Sequence, residues 1–309
     1  MNNFGGKITP LIGDSDFTHN ICSLISTISK NFASVLLIGE RGSGKRLIAQ
    51  HIHNAFALDS QINSFNKKDF YEINCKSFSE SDIRLVFGGI SRFVPEGKKV
   101  TLFVNFVNEL SPQLQVDFYN TIIKARENGV NLKIICSSEI NFEEDVLSGK
   151  FSTDLYYLIN SVVLNTQPLR LRKDDILPIA EYYRELFKKQ SGLDFVQFSD
   201  MAKEELTLQY WKGNIDELIN SIQRAFLVGN EKIIKTADLG LVSSTSVNAD
   251  VTGYGLEDKS LKNAINSFKK DYVTKVLEEN DWNQTKTARI LGIQRTYVIK
   301  LINELGIKK

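Results

Sequence analysis

Two short stretches carry side chains that could do chemistry, and a third could read DNA. The first is GERGSGKR, residues 39–46, which follows an apolar run and opens the helical pattern LIAQHIHNAF. Its spacing fits the first seven positions of GxxxxGK[ST]. Glycines let the backbone wrap a phosphate, successive N–H groups and the helix N-terminus face the anion, and the lysine reaches the terminal phosphates. This assigns Gly39, Glu40, Arg41, Gly42, Ser43, Gly44, Lys45 and Arg46 to a site for ATP or ADP. Arg46 stands where the pattern has a hydroxyl for Mg²⁺, so phosphate binding is better supported than metal binding, and no metal ligand is assigned.

The second stretch is VTLFVNF, residues 100–106. In nucleotide-hydrolysing P-loop proteins such a strand ends on an acid that holds Mg²⁺, often followed by one that polarises water. Here those places hold Asn105 and Phe106, which can do neither, so no catalytic residue is assigned.

The third is TKTARILGIQRTYVIKLINEL, residues 285–305. Asn283 with Thr285 offers a cap, Ala288 and Leu291 face inward, Gly292 makes a turn, and residues 294–305 form a second helix, which is helix-turn-helix spacing. On that helix Gln294 and Arg295 are placed to read base edges, and Thr296, Tyr297 and Lys300 to contact phosphate. Upstream, Ile265, Phe268, Tyr272, Val276 and Leu277 repeat at helical spacing and could pair with a second copy. Such a homodimer would set two recognition helices roughly 34 Å apart on double-stranded DNA.

The elements that must hold these residues alternate. Short β-rich runs at 35–38, 100–104, 132–136 and 161–164 are separated by helical periodicities, which predicts a parallel α/β sheet. After Pro168 the strand signals vanish, and helical patterns cover 176–189, 200–210 and 215–228. SSTSVNADVTGYG reads as a linker. The predicted organisation is a nucleotide-binding core at 1–170, a helical lid at 171–242, a linker at 243–255 and a small all-α unit at 256–309. His51 and His53 lie two apart on one helix, cannot share a metal, and read as surface or interface histidines.

Composition excludes other classes. The chain has 309 residues, 42% hydrophobic and 24% charged, and no apolar run near the roughly 18–20 residues a membrane helix needs. MNNFGGKITP lacks a secretion signal's pattern, and three scattered cysteines do not make a disulfide framework, so a cytoplasmic setting is expected. From residue 256 onward there are 11 Lys plus Arg against 7 Asp plus Glu, a balance of +4, while residues 1–255 carry 27 minus 30, or −3. A basic tail on an acidic body points to an anionic partner such as nucleic acid.

Several stretches in one order carry a resemblance. GERGSGKRLIAQHIH, INCKSF, TLFVNFVNELSPQLQ, FSTDLYYLIN, PLRLRKDDI and WKGNIDELINSIQRA resemble the AAA+ domain of bacterial enhancer-binding proteins of the NtrC family, from about residue 11 to 238. The C-terminal unit is similar to their Fis-type DNA-binding domain. The resemblance implies an AAA+ parallel sheet with a helical lid, ATP-driven remodelling of sigma-54 polymerase, and a higher AAA+ oligomer. On this reading no receiver or sensory domain is expected ahead of the match.

This chain departs from the family pattern at the parts that drive the motor. Family acids fall on Asn105 and Phe106, a sensor asparagine near Glu139, two trans-acting arginines on Ser152 and Leu158, and a lid arginine on Asp216. The GAFTGA insertion that touches the sigma factor is missing between Val86-Phe87-Gly88 and Thr101. Asn74 resembles the switch asparagine. The expectation is a DNA-binding transcription regulator with a catalytically impaired AAA+ domain, acting without sigma-54 contact as a repressor or with ordinary RNA polymerase. The alternatives are a functional ATPase with a substitute acid such as Glu109, and an inhibitory subunit in a mixed AAA+ oligomer.

Overall fold

The computed structural model describes residues 8–57, 69–192, 197–229 and 232–241. Beyond these it describes 269–270, 272–274, 276–278, 280 and 282–307. The linker expected at 243–255 and the positions Ile265 and Phe268 lie outside the described residues. Two compact units result, residues 1–241 and 242–309.

In the first unit five parallel strands, β1 (Val35–Ile38), β2 (Phe70–Asn74), β3 (Lys99–Asn105), β4 (Asn131–Ser138) and β5 (Val162–Asn165), pair in the order β2-β3-β4-β1-β5. Alternate side chains supply the two faces, as a pleated strand requires. Val35, Leu37, Phe103 and Ile135 pack with Ile21, Ile25, Ile48 and Ile52, which come from α1 (Asp16–Ile28) and α2 (Lys45–Ala57). Leu36, Leu102, Val104, Ile134 and Cys136 face the other way, against α3 (Glu80–Phe93) and α4 (Pro112–Glu127) through Ile83, Phe87, Leu114 and Phe118. That face is completed by α5 (Glu143–Leu147) and α6 (Thr153–Ile159), with Phe142, Phe151 and Leu155. Such double-sided burial is why the strands read as unbroken apolar runs.

The lid comprises α7 (Ile176–Ser191), α8 (Asp200–Leu208), α9 (Asn214–Val228) and α10 (Thr236–Leu239), closed around a fully buried Trp211 whose indole N–H donates to the Leu206 carbonyl at 2.8 Å. Two strands absent from the sequence reading accompany it: β6 (Gln197–Phe198) and β7 (Ile233–Ile234), paired in parallel. The connection from α3 to β3 is only residues 94–98.

The histidines correct the sequence reading. His53 is fully buried, its Nδ1 2.8 Å from Thr101 Oγ1 on β3, and His51 Nε2 lies 2.9 Å from the Thr9 carbonyl. α2 packs against the sheet and α1 and meets the N-terminal segment at Thr9, so His53 is enclosed and His51 is half-buried.

In the second unit, Val273 and Leu277 pack with Ala288 of α11 (Gln284–Ile290) and with Val298 and Leu301 of α12 (Arg295–Glu304). Val276 is buried as well, while Tyr272 is exposed. Leu277, expected to face a second copy, is therefore used in the unit's own core.

Candidate phosphate-binding and DNA-binding sites

β1 delivers the glycine loop to the C-terminal edge of the sheet, and α2 begins at Lys45, so the loop amides and helix N-terminus converge there. Gly42 has φ 75°, and a Cβ on it would stand 2.2 Å from the Gly213 carbonyl. Only glycine fits both that backbone and that approach. The loop is held from outside by four side chains. The Arg170 guanidinium grips Glu40 with two bonds of 2.7 and 2.5 Å, Arg172 donates to the Ser43 carbonyl at 2.7 Å, and Thr166 shares a 2.8 Å hydroxyl contact with Ser43. Buried Asn214, itself left-handed at φ 55°, donates to the Arg41 carbonyl at 2.8 Å and to Glu40 at 3.1 Å. Asp175, fully buried, accepts from Ser15 and Thr18 hydroxyls at 2.9 and 2.7 Å and fixes the N-terminal segment beside the loop.

Lys45 is buried and donates to the carbonyls of Gly39 and Glu40. Burial lowers its pKa, Glu139 and Asp216 oppose that, and Lys76 adds to it. Burial raises the pKa of Asp216, with Arg41 and Lys45 pulling it back. Beside the loop Pro10, Leu11, Ile12, Leu47, Tyr183 and Ile215 line an apolar cleft between the N-terminal segment, α2 and the lid. Its walls suit a planar heterocycle, and the neighbouring loop suits phosphate, so the donor set fits a nucleotide. The sequence reading missed this cleft and the clamps Thr166, Arg170, Arg172 and Asn214. The one signal for Arg170, Arg172 and Asn214 was their place in PLRLRKDDI and WKGNIDEL, and Thr166 lay in neither stretch.

The donors for a divalent cation do not assemble. Arg46 points its guanidinium at Glu72 of β2, two bonds of 2.6 Å, where a hydroxyl would be wanted. Asn105 Oδ1 accepts from Ser137 Oγ at 2.5 Å. Phe106, left-handed at φ 60°, lays its ring under the Lys76 ammonium, 4.2 Å from the centroid. Lys76 pairs with Glu139 at 2.9 Å and stands 3.9 Å from Glu109, so both remaining acids face a lysine. Mg²⁺ therefore does not fit these residues. Ser152 caps α6 by accepting from Leu155 N–H, and Leu158 packs against the core.

In the second unit Asn283 accepts from the amides of Thr285 and Lys286 and starts α11, and Gly292 turns the chain at φ 66°. Gln294 sits at the N-cap position of α12. Gln294, Arg295, Thr296, Tyr297 and Lys300 are all exposed, on the helix opposite buried Val298 and Leu301. Lys300 lies 3.6 Å from Glu304. A helix with one buried stripe and one polar N-terminal face can enter a major groove.

Comparison with known proteins gives these sites a setting. Residues 12–169 match the family described as Sigma-54 interaction domain, residues 170–251 the AAA+ ATPase lid domain, and residues 265–299 the bacterial regulatory protein, Fis family. The regulatory protein AtoC of Escherichia coli (strain K12) is 30% identical over 96% of this chain and 68% of its own. The sigma54-dependent transcriptional activator SfnR of Pseudomonas putida is 28% identical over 92% of this chain and 86% of its own. Among solved structures, NtrX from Brucella abortus in complex with ATP superposes with a TM-score of 0.63 at 20% identity, covering 96% of this chain and 70% of that one. The expected lack of sigma-54 contact gains no support from relatives with these names.

Proposed function

This chain belongs to the sigma-54 interaction-domain family of DNA-binding transcriptional regulators, and from that membership we propose that its AAA+ unit holds ATP or ADP as a structural or sensing ligand with little hydrolysis. The observation that carries the reading is the end of β3, where Asn105 is bonded to Ser137 and the Phe106 ring is covered by Lys76. A water there meets an amide, an aromatic ring and two carboxylates already facing an ammonium. Losing a single arginine finger costs on the order of 10³–10⁵ in rate, and here both finger positions and both acids differ. The short α3–β3 connection leaves no hairpin to reach a sigma factor. On this reading the protein binds its DNA site as a homodimer through the Fis-type unit and regulates without remodelling sigma-54 polymerase. Residues 39–46 would hold the nucleotide; NtrX, which shares this fold, has been crystallised with ATP and with ADP.

Steady-state ATP hydrolysis across protein concentrations, with and without DNA, tests this against Lys45→Ala. The expected result is no turnover above that control. Turnover that rises with concentration and disappears in the control would sink the reading. The second reading, sigma-54-dependent activation, draws on relatives such as SfnR. Transcription from a sigma-54 promoter that requires this protein and ATP would favour it.

A further inference from the structure

Four neighbouring strands end at one edge of the sheet, and the charges there are arranged around a lysine. β2 is followed by Lys76, β3 ends at Asn105-Phe106, β4 is followed by Glu139, and β1 leads into the loop of Lys45. Lys76 crosses from β2 over the Phe106 ring to reach Glu139 on the far side of β3, and its charge is felt at Lys45. Its ammonium thus stands against Glu139, the residue after Ser138, whose carbonyl accepts from the Gly39 N–H of the phosphate loop at 3.1 Å. The same edge has an amide at 105 in place of a carboxylate, and Arg46 tied to Glu72 in place of a hydroxyl. A further cation is still required opposite a polyphosphate, since Lys45 and Arg41 together cannot offset three or four negative charges, and Glu139 and Asp216 add more.

We propose that nucleotide binding in this chain is independent of Mg²⁺, with the Lys76 ammonium serving as the built-in cation opposite the polyphosphate. Phe106 and Glu139 hold the ammonium in place. Phe106 supplies an aromatic face, which attracts a cation without neutralising it, and Glu139 supplies a carboxylate that a phosphate oxygen can replace as partner. A residue that fits neither role of a hydrolytic acid acquires a purpose here: the left-handed Phe106 presents its ring where the lysine lies. The inference rests on the nucleotide reading above.

The test is equilibrium binding of a fluorescent ADP analogue to the full chain, in excess Mg²⁺ and in EDTA, for wild type, Lys76→Ala, Lys76→Gln, Lys76→Arg and Lys45→Ala. Wild type should bind with a Kd that changes less than about twofold between the two conditions. Lys76→Ala and Lys76→Gln should weaken binding in EDTA by about tenfold, the size of one charge-assisted hydrogen bond, and Lys76→Arg should recover most of it. Lys76 is exposed, so these variants are expected to fold, and unchanged thermal melts without nucleotide check this. Binding by wild type only in Mg²⁺ would overturn the proposal and leave the nucleotide reading standing. Equal affinity of wild type and Lys76→Ala in EDTA would remove Lys76 from the role. No binding by wild type in either condition, matching Lys45→Ala, would end both.

Discussion

Glu40 belongs to the phosphate loop by sequence, yet its carboxylate points away toward Arg170 and Asn214. The Arg170 hydrogen bonds, with help from Asn214, hold its pKa down at about 2 from an ordinary 4.5. A depressed acid pKa stabilises the fold fully above the unfolded value and loses that contribution as pH falls toward the folded one. Glu40→Gln should therefore be less stable than wild type in urea at neutral pH, with the gap closing as pH drops from about 4.5 toward 2. A gap constant across that window would place the loop's support elsewhere. Asp216 acts in the opposite sense. Its carboxylate is half-buried on the first turn of α9 and interacts with Lys45, so a terminal phosphate meets negative charge there. Asp216→Asn should raise affinity for ATP more than for ADP, by on the order of tenfold in the ratio. A titration showing both nucleotides tightening equally would mean the carboxylate does not face the outer phosphate.

At the level of elements, the recognition helix gives the sharpest prediction. Arg295 opens α12 on its exposed face, and if it reads a base edge, Arg295→Ala should cost about 1–3 kcal/mol of specific DNA affinity while leaving nonspecific binding nearly unchanged. Equal losses on specific and random duplexes would reassign it to phosphate. α11, its Asn283 cap and the Gly292 turn were legible because caps and turns are local chemistry, written within a few residues. β1, β3 and β4 were legible for a different reason: strands covered on both faces must be apolar. β5 lies at an edge with Val163 exposed, yet it keeps the unbroken apolar run VVL. β2 was not, because it lies at the sheet edge, and FYEIN keeps Tyr71, Glu72 and Asn74 half-exposed, which breaks the apolar run. β6 and β7 are two residues each and carry no period at all. The clamps on the phosphate loop were out of reach for a physical reason. Arg170 meets Glu40 across 130 positions and Arg172 meets Ser43 across 129, and no local pattern records a contact of that span.

For the whole molecule, the chain divides at residue 241 into two compact units, each with its own packing and each proposed to take a different ligand. The first contains the glycine loop, the apolar cleft and the lid, all packed through Gly42, Asn214 and Arg172. The second is a small cluster around Leu277, Ala288 and Val298. A ligand that binds only the folded state stabilises it by about 2.7 kcal/mol at a hundredfold excess over its Kd. For a unit of this length, that is a rise of roughly 5–10 °C in melting temperature. ADP should therefore move one calorimetric transition upward and leave the other in place, whereas a specific DNA duplex should do the converse. Lys45→Ala should abolish the first shift and spare the second. If ADP moved both transitions together, the two units would melt as one, and nucleotide state would then be coupled to the DNA-binding unit by a free energy readable from the size of the shared shift. If ADP moved neither, the glycine loop would be a structural turn held by its own clamps, and the family's nucleotide switch would be absent from this chain.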